Sequence, residues 1–247
     1  MENNMTPLSP NDTFLFSCSK NVSCFNECCR DLNQFLTPYD ILRLKHRLEL
    51  SSRLFLERYT TQQTGPETGL PIITLKTNDP HTLKCPFVTS SGCSVYEDRP
   101  SSCRTYPLVR MASRSRETGK ITEQYILLKE LHCLGFEQGR TWTIRKWVQD
   151  QNVTFYNEMN DMLLEIIGLK NRLIPGPLDI KSRFAFHMAL YDMDTFRSHI
   201  FEQNILDHWN LDQKTLDSVK NDDVELLKLG HRWIKKILFG NLEQDSQ

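Results

Sequence analysis

The sequence predicts an α+β fold: a cysteine-rich region with a small antiparallel sheet and one long helix, followed by an all-helical C-terminal half. Three observations carry this. All eight cysteines lie at or before position 133. Two runs of strand character, 106–111 and 123–129, flank a polar segment at 114–120. From Thr141 onward apolar residues recur with a helical period.

Each element follows from local pattern. Residues 1–13 are polar, contain Pro7 and Pro10 and show no period, so they read as a loose lead-in. Phe14, Leu15 and Phe16 form a short apolar run that anchors the following segment to a core. Thr37, Pro38 and Asp40 supply an N-cap, a first-turn proline and a first-turn acid. Ile41, Leu44, Leu48, Phe55 and Tyr59 continue at helical spacing and predict one helix to about residue 59. Gly65, Pro66 and Gly69 end the pattern, and 71–77 reads as a strand. The runs around 114–120 make a hairpin.

In the second half, Ile144, Trp147, Val148, Phe155, Met159, Met162, Leu163 and Ile166 predict a long helix ending near Gly168. Pro175 and Pro177 separate it from Phe184, Phe186, Met188, Leu190 and Tyr191. Asp192 to Thr195 cap a helix with Phe196, Ile200 and Phe201. Asp222 and Asp223 open a last helix through Val224, Leu227, Trp233, Ile234 and Ile237, closed by Gly240. The expected organisation is a cysteine domain at 14–135 and a helical region at 141–240 packed on it. No repeat and no low-complexity tract interrupts it.

The cysteines form two clusters and one outlier: Cys18, Cys24, Cys28 and Cys29; Cys85, Cys93 and Cys103; then Cys133. Thiols at this density are either oxidised to disulfides or held by a metal. Residues 1–14 lack the basic and apolar regions of an export signal, which predicts a cytoplasmic chain. A reducing compartment disfavours disulfides, and a chain of this length buries a core without them, so metal is favoured. The disulfide alternative belongs to an exported chain, where Asn21 and Asn152 would head glycosylation triplets.

Zinc and iron–sulfur clusters both take four thiolates, and eight cysteines fill two such sites or one with spare thiols. Neither the spacing of Cys18, Cys24 and Cys28 nor that of Cys85, Cys93 and Cys103 matches a zinc ribbon or a ferredoxin run, so spacing does not name the metal. Adjacent side chains diverge, and Cys28 and Cys29 therefore suit two sites, or one site and a core contact, better than one ion. Pro100 and Pro107 fix the backbone on either side of Cys103. Arg99 and Arg104 have three roles open to them: donating to thiolate or sulfide, pairing with Glu97, Asp98 or nearby carbonyls, or binding a substrate anion.

Other chemistry is excluded or weaker. With 30 basic and 31 acidic residues the chain has no global field for nucleic acid or an anionic membrane. It has no long apolar span, phosphate loop, nucleophile elbow or dinucleotide fingerprint. His187, His199, His208 and His231 lack metalloprotease spacing, and His132 beside Cys133 reads as a surface residue. Trp142, Trp147, Trp209 and Trp233 read as core. Arg110, Arg114, Arg116 and Lys120 read as a solvated turn.

The Cys28-Cys29 pair, followed by Cys-Ser-Val-Tyr-Glu-Asp-Arg-Pro-Ser-Ser-Cys-Arg-Thr-Tyr-Pro at 93–107, resembles the YkgJ-type cysteine-cluster proteins, described as a zinc- or iron-chelating domain. The resemblance covers about residues 14–135. The first cluster is more widely spaced than the family's common pattern. Position by position, the resemblance places chelating cysteines at Cys24, Cys28, Cys29, Cys85, Cys93 and Cys103, with Cys18 and Cys133 as additions. Flagellin lysine methylases, reported to hold a four-iron cluster, belong to the same group. The resemblance thus implies an iron–sulfur cluster ahead of zinc. Three roles follow as expectations: redox or metal handling with a protein or small-molecule partner, protein modification such as lysine methylation, or a structural zinc module.

Overall fold

A computed structural model describes residues 4–240, apart from 10, 32, 67, 78, 80, 116 and 138. The fold is α+β, with small antiparallel sheets and an all-helical C-terminal half. Contacts divide the chain into two compact units, Met1–Gln34 with Leu75–Asp161 and Phe35–Thr74 with Met162–Gln247. Among the described residues no helix is long and apolar enough to cross a membrane.

The first unit is built on the expected hairpin, whose strands Leu108–Arg114 and Ile121–Lys129 pair antiparallel with Leu108 opposite Leu127. Period-two alternation turns Leu108, Tyr125 and Leu127 to the core. Gly119, with φ at 66°, closes the turn, and Ser115 N–H donates to the Lys120 carbonyl at 2.8 Å. The expected loose lead-in is instead partly a third strand. Asn4–Leu8 pairs with Ile121–Lys129, Pro7 standing opposite Ile126. An edge strand takes its bonds from the backbone and tolerates proline, so exposed residues such as Met5 gave no period to read.

A second sheet pairs Thr13–Phe16 with Arg140–Thr143, matching Phe14 to Trp142. The core of the unit gathers Phe14, Phe16, Leu108, Tyr125, Leu127, Trp142, Ile144 and Trp147. Trp147 meets Phe16 edge-on at 5.5 Å and donates its indole N–H to the Thr105 carbonyl at 2.9 Å. Tyr106, Cys133 and Phe136 pack against the same cluster, so a buried aromatic floor carries the cysteine loops. Where one helix was expected from Thr141, the chain makes a strand, then Ile144–Asp150 under a Thr143 cap, then Thr154–Leu173. The interruption falls at Asn152, whose φ of 51° no α-helix contains.

In the second unit the helix expected to reach residue 59 is two helices, Pro38–Arg47 and Ser52–Tyr59. Thr37 and Asp40 close a reciprocal cap on the first. The break comes at Glu49, φ 54°, before Ser51 caps the second helix by accepting from the Leu54 N–H. The apolar stripe runs through it because each helix buries its own part of it, Ile41 and Leu44 in the first and Phe55 in the second. Strands Thr60–Thr64 and Pro71–Leu75 form a two-stranded sheet.

The helices Ile180–Leu190, Met193–Glu202, Gln213–Asn221 and Asp223–Phe239 complete the unit. Asp222 caps the last by accepting from the Val224 and Glu225 N–H groups. A Cβ on Gly230 would lie 2.3 Å from the Ala189 carbonyl oxygen, so that crossing requires glycine. Lys45, buried in this unit, pairs with Asp194 at 3.1 Å and Asp223 at 2.7 Å, and Arg197 joins through Asp223. Trp142, Trp147 and Trp233 are core, as expected, while Trp209 is half-buried beneath Lys236.

His231 is 1% exposed on the last helix, its Nδ1–H directed at the Leu227 carbonyl and its Nε2 without a partner among the described residues. Burial pushes its pKa down from 6.5 to about 4. The fold therefore holds the neutral ring, and its contribution is complete above pH 6.5. As pH falls from 6.5 through about 4, the unfolded chain takes up the proton first and the fold loses about 3 kcal/mol. Amide exchange in Asp223–Phe239 is expected to accelerate over that window. His231→Gln flattens the dependence; an unchanged profile in that variant excludes His231 as its source.

Candidate metal centre

The clusters meet because the chain path brings them together. Leaving the buried strand Thr13–Phe16, Ser17 donates its N–H to the Gly135 carbonyl at 2.9 Å, setting Cys18 beside the Cys133 turn. Successive tight turns follow. Phe25 N–H bonds the Val22 carbonyl, Glu27 N–H that of Cys24 and Cys29 N–H that of Asn26. Val22 is buried and pins this loop. Glu27–Cys29 is a single 3-10 turn entered through Asn26 at φ 73°.

The exit from the first cluster then runs antiparallel to the entry into the second. Arg30 bridges Lys84, Cys85 N–H donates to the Cys29 carbonyl at 2.9 Å, and Asp31 N–H bonds the Leu83 carbonyl. The Asn26 amide donates to the Thr89 carbonyl at 2.9 Å. Beyond Cys85, a tight hairpin pairs Val88 with Cys93, and Gly92 at φ 115° makes its turn. Buried Phe87 and Val95 hold that hairpin down. Cys103 rides the short helix Ser101–Thr105 and its thiol donates to the Gln34 side-chain oxygen at 3.4 Å.

All eight cysteines are free thiols, seven half-buried and Cys18 exposed. Each titration records its neighbours. Burial, then Cys28, Cys24 and Cys133, pushes Cys18 up to about 11. A hydrogen bond with Cys29 draws Cys28 down to about 7 against the opposing effect of burial. The same bond raises Cys29, with burial and the charges of Cys28, Cys85 and Cys103 adding to it. Burial raises Cys85, Cys93 and Cys133. Mutual repulsion and desolvation thus hold most of the thiols protonated near neutrality, and a cation among them reverses that balance.

The donor set fits a thiophilic metal. Its ligand atoms are all sulfur, the Leu134 N–H donates to the Cys24 sulfur at 3.2 Å, and the buried Tyr106 hydroxyl lies beside Cys133. A thiolate ligand at Cys133 would receive that hydroxyl. Among the described residues no three Cys, His, Asp or Glu side chains stand at ligand distance from one point.

Both arginines tie down the loop, and buried Arg99 donates to the Tyr96 carbonyl and to the Gln151 side-chain oxygen, each at 2.5 Å. Arg99 stacks on the Tyr96 ring at 3.8 Å, and its charge acts on Cys93 and Cys103. Arg104 is buried, and its donors end on the carbonyls of Arg99 at 3.1 Å, Gln151 at 2.9 Å and Glu97. Of the roles open to Arg104 the structure thus selects carbonyl pairing, not donation to sulfur, because its side chain turns away from Cys103 to clamp the loop from behind. His132 is exposed and faces Glu130 at 3.7 Å. Arg110, expected on a solvated turn, is instead held by Asp161 at 2.7 Å and Glu123 at 2.8 Å, while Arg116 lies outside the described residues. Sequence reasoning missed Gln34, which lies in no motif, and the Tyr106 hydroxyl, whose motif was visible although its role was not.

Two sequence-distant sets of thiols lie on a buried aromatic floor, with N–H and O–H groups set beside the sulfurs. Residues 17–134 match the family model CxxCxxCC, "Putative zinc- or iron-chelating domain", and this part of the chain is similar to that family. The match takes in every cysteine. No match was found among curated proteins or among solved structures.

Proposed function

We propose that the cysteine domain binds an iron–sulfur cluster and serves redox or metal handling in the cytoplasm, with a protein or small-molecule partner. The observation that carries this is the meeting of thiols from both clusters beside groups that stabilise their ionised form: the Leu134 N–H, the Tyr106 hydroxyl and the Arg99 charge. Hydrogen bonds and charge at sulfur set the potential of such a cluster. The chain's own residues would hold the cluster by Cys24, Cys28, Cys29, Cys85, Cys93 and Cys103, with Cys18 and Cys133 completing the set. The resemblance to the YkgJ-type cysteine-cluster family, which includes the flagellin lysine methylases, supports iron ahead of zinc.

The test is the visible spectrum, iron content and acid-labile sulfide of anaerobically purified protein. A brown protein with iron and sulfide in equal amounts is expected. A colourless protein with stoichiometric zinc overturns the iron–sulfur assignment and leaves a zinc-chelating module.

A further inference from the structure

We propose that a cleft lined by strand Thr60–Thr64 and helix Ile180–Leu190 binds a small carboxylic acid with a ring-sized apolar body, its carboxylate on Arg183 and its body on Phe184 and Ile180. The cleft lies wholly within the second unit and draws on no cysteine. The helix carries the argument. It buries Phe186, Ala189 and Leu190 in the core of that unit, so its outer face should be polar. Instead Ile180, Arg183, Phe184 and His187, spaced at i, i+3, i+4 and i+7, share one face, on which Phe184 is 58% and Ile180 76% exposed. Gln62 and Thr64, two apart on the strand, stand on one side of it and line the same cleft, with Pro71 beside them.

The polar groups converge with bonds to spare. Arg183 donates from Nη1 to the Thr64 hydroxyl at 3.3 Å, and its Nε and Nη2 have no partner among the described residues. Those two nitrogens form the edge of the guanidinium fork that takes both oxygens of a carboxylate. The Gln62 amide and the His187 ring nitrogens also lack hydrogen-bond partners among the described residues. Burial draws the His187 pKa down from 6.5, so the ring offers a neutral donor and acceptor and not a second charge. Among the described residues no acidic side chain lines the cleft, and one guanidinium matches one carboxylate better than a phosphate dianion. The helix N-terminus is already closed by Asp179, which accepts from the Lys181 and Ser182 N–H groups, so the guanidinium and not the helix end receives the acid. Volume sets the size of the body. The cleft encloses about 250 Å³, and a cavity of about 150 Å³ takes one benzene ring, which leaves room for the ring and its acid arm.

The experiment titrates the full chain with phenylacetate and with phenylacetamide, its uncharged analogue, and follows the ring resonances of isotope-labelled histidines, that of His187 being assigned from the His187→Gln variant. A saturable shift of the His187 resonance by phenylacetate in the millimolar range is expected, with phenylacetamide roughly tenfold weaker. Arg183→Gln should remove that preference and leave the two probes equal. Phe184→Ser should weaken both alike. No saturable shift at His187 overturns the proposal, as does equal binding of the two probes to the wild type or an undiminished preference in Arg183→Gln. Unchanged binding in Phe184→Ser overturns the placement of the body. Arg183 makes a single exposed side-chain bond, so its replacement should leave the fold intact. Should either variant fail to fold, the two probes compared on the wild type still decide it. The cysteines take no part, so the outcome is independent of the metal assignment.

Discussion

Stripping the metal is expected to accelerate amide exchange about 100-fold in the cysteine loops around 17–30, 84–104 and 130–136, while Ile180–Leu190 and Asp223–Phe239 keep their protection. The loops are held by single turn bonds and a few buried residues, Val22, Phe87 and Val95 among them. Without a cation their thiols repel or must take up protons. The helical unit needs no such help, since Leu190, Phe196, Leu226, Ile234 and Phe239 are fully buried there. Hydrogen exchange with mass spectrometry, with and without a strong chelator, checks this. Equal protection before and after would show that the cysteines carry no structural metal.

The second large effect is expected from Arg104→Gln, which should destabilise the cysteine unit by about 3 kcal/mol. The guanidinium satisfies three backbone carbonyls, those of Glu97, Arg99 and Gln151, and lies over the Tyr156 ring at 4.7 Å. A shorter amide reaches fewer of them, and each buried carbonyl left alone is costly. Arg104→Lys should rescue little, because an ammonium lacks the planar fork. Denaturant titration measures the loss. In the metal-loaded variant the absorption and reduction potential should match the wild type, since the side chain acts on the loop and not on sulfur. Arg99→Gln should destabilise the loop too, through the lost bonds to Tyr96 and Gln151, and should in addition shift the sulfur chemistry at Cys93 and Cys103. A shifted potential in Arg104→Gln would return that residue to the sulfur.

Local pattern made part of this fold legible. The hairpin around 114–120 combined period-two alternation with a polar turn, and the last helix announced both ends through Asp222 and Gly240. What depends on distant backbone was not legible. Asn4–Leu8 joins its sheet through main-chain bonds, to which its exposed side chains give no clue. The break at Glu49 hid behind a stripe that both helices share. Lys45 and Asp194 are 149 positions apart, and nothing local marks either as half of a half-buried ion pair. At the site, the cysteines declared themselves by density. Gln34 and the direction of the Arg104 side chain depend on how the loops cross, and residue type alone does not encode that.

The first unit is assembled from two stretches of chain, and residues 35–74 between them belong to the other unit. For a chain made from its N-terminus, this sets an order of events. Cys18 to Cys29 leave the ribosome early but find no partner until Cys85 to Cys103 follow, and Cys133 comes last, seconds later at roughly 5–20 residues per second. Through that interval the nascent thiols are open to oxidation or to a wrong ion. The segment 35–74 waits longer still, because the helices it folds with are the final part made. A metal site that draws on both clusters and on Cys133 would be complete only after Leu134 has emerged.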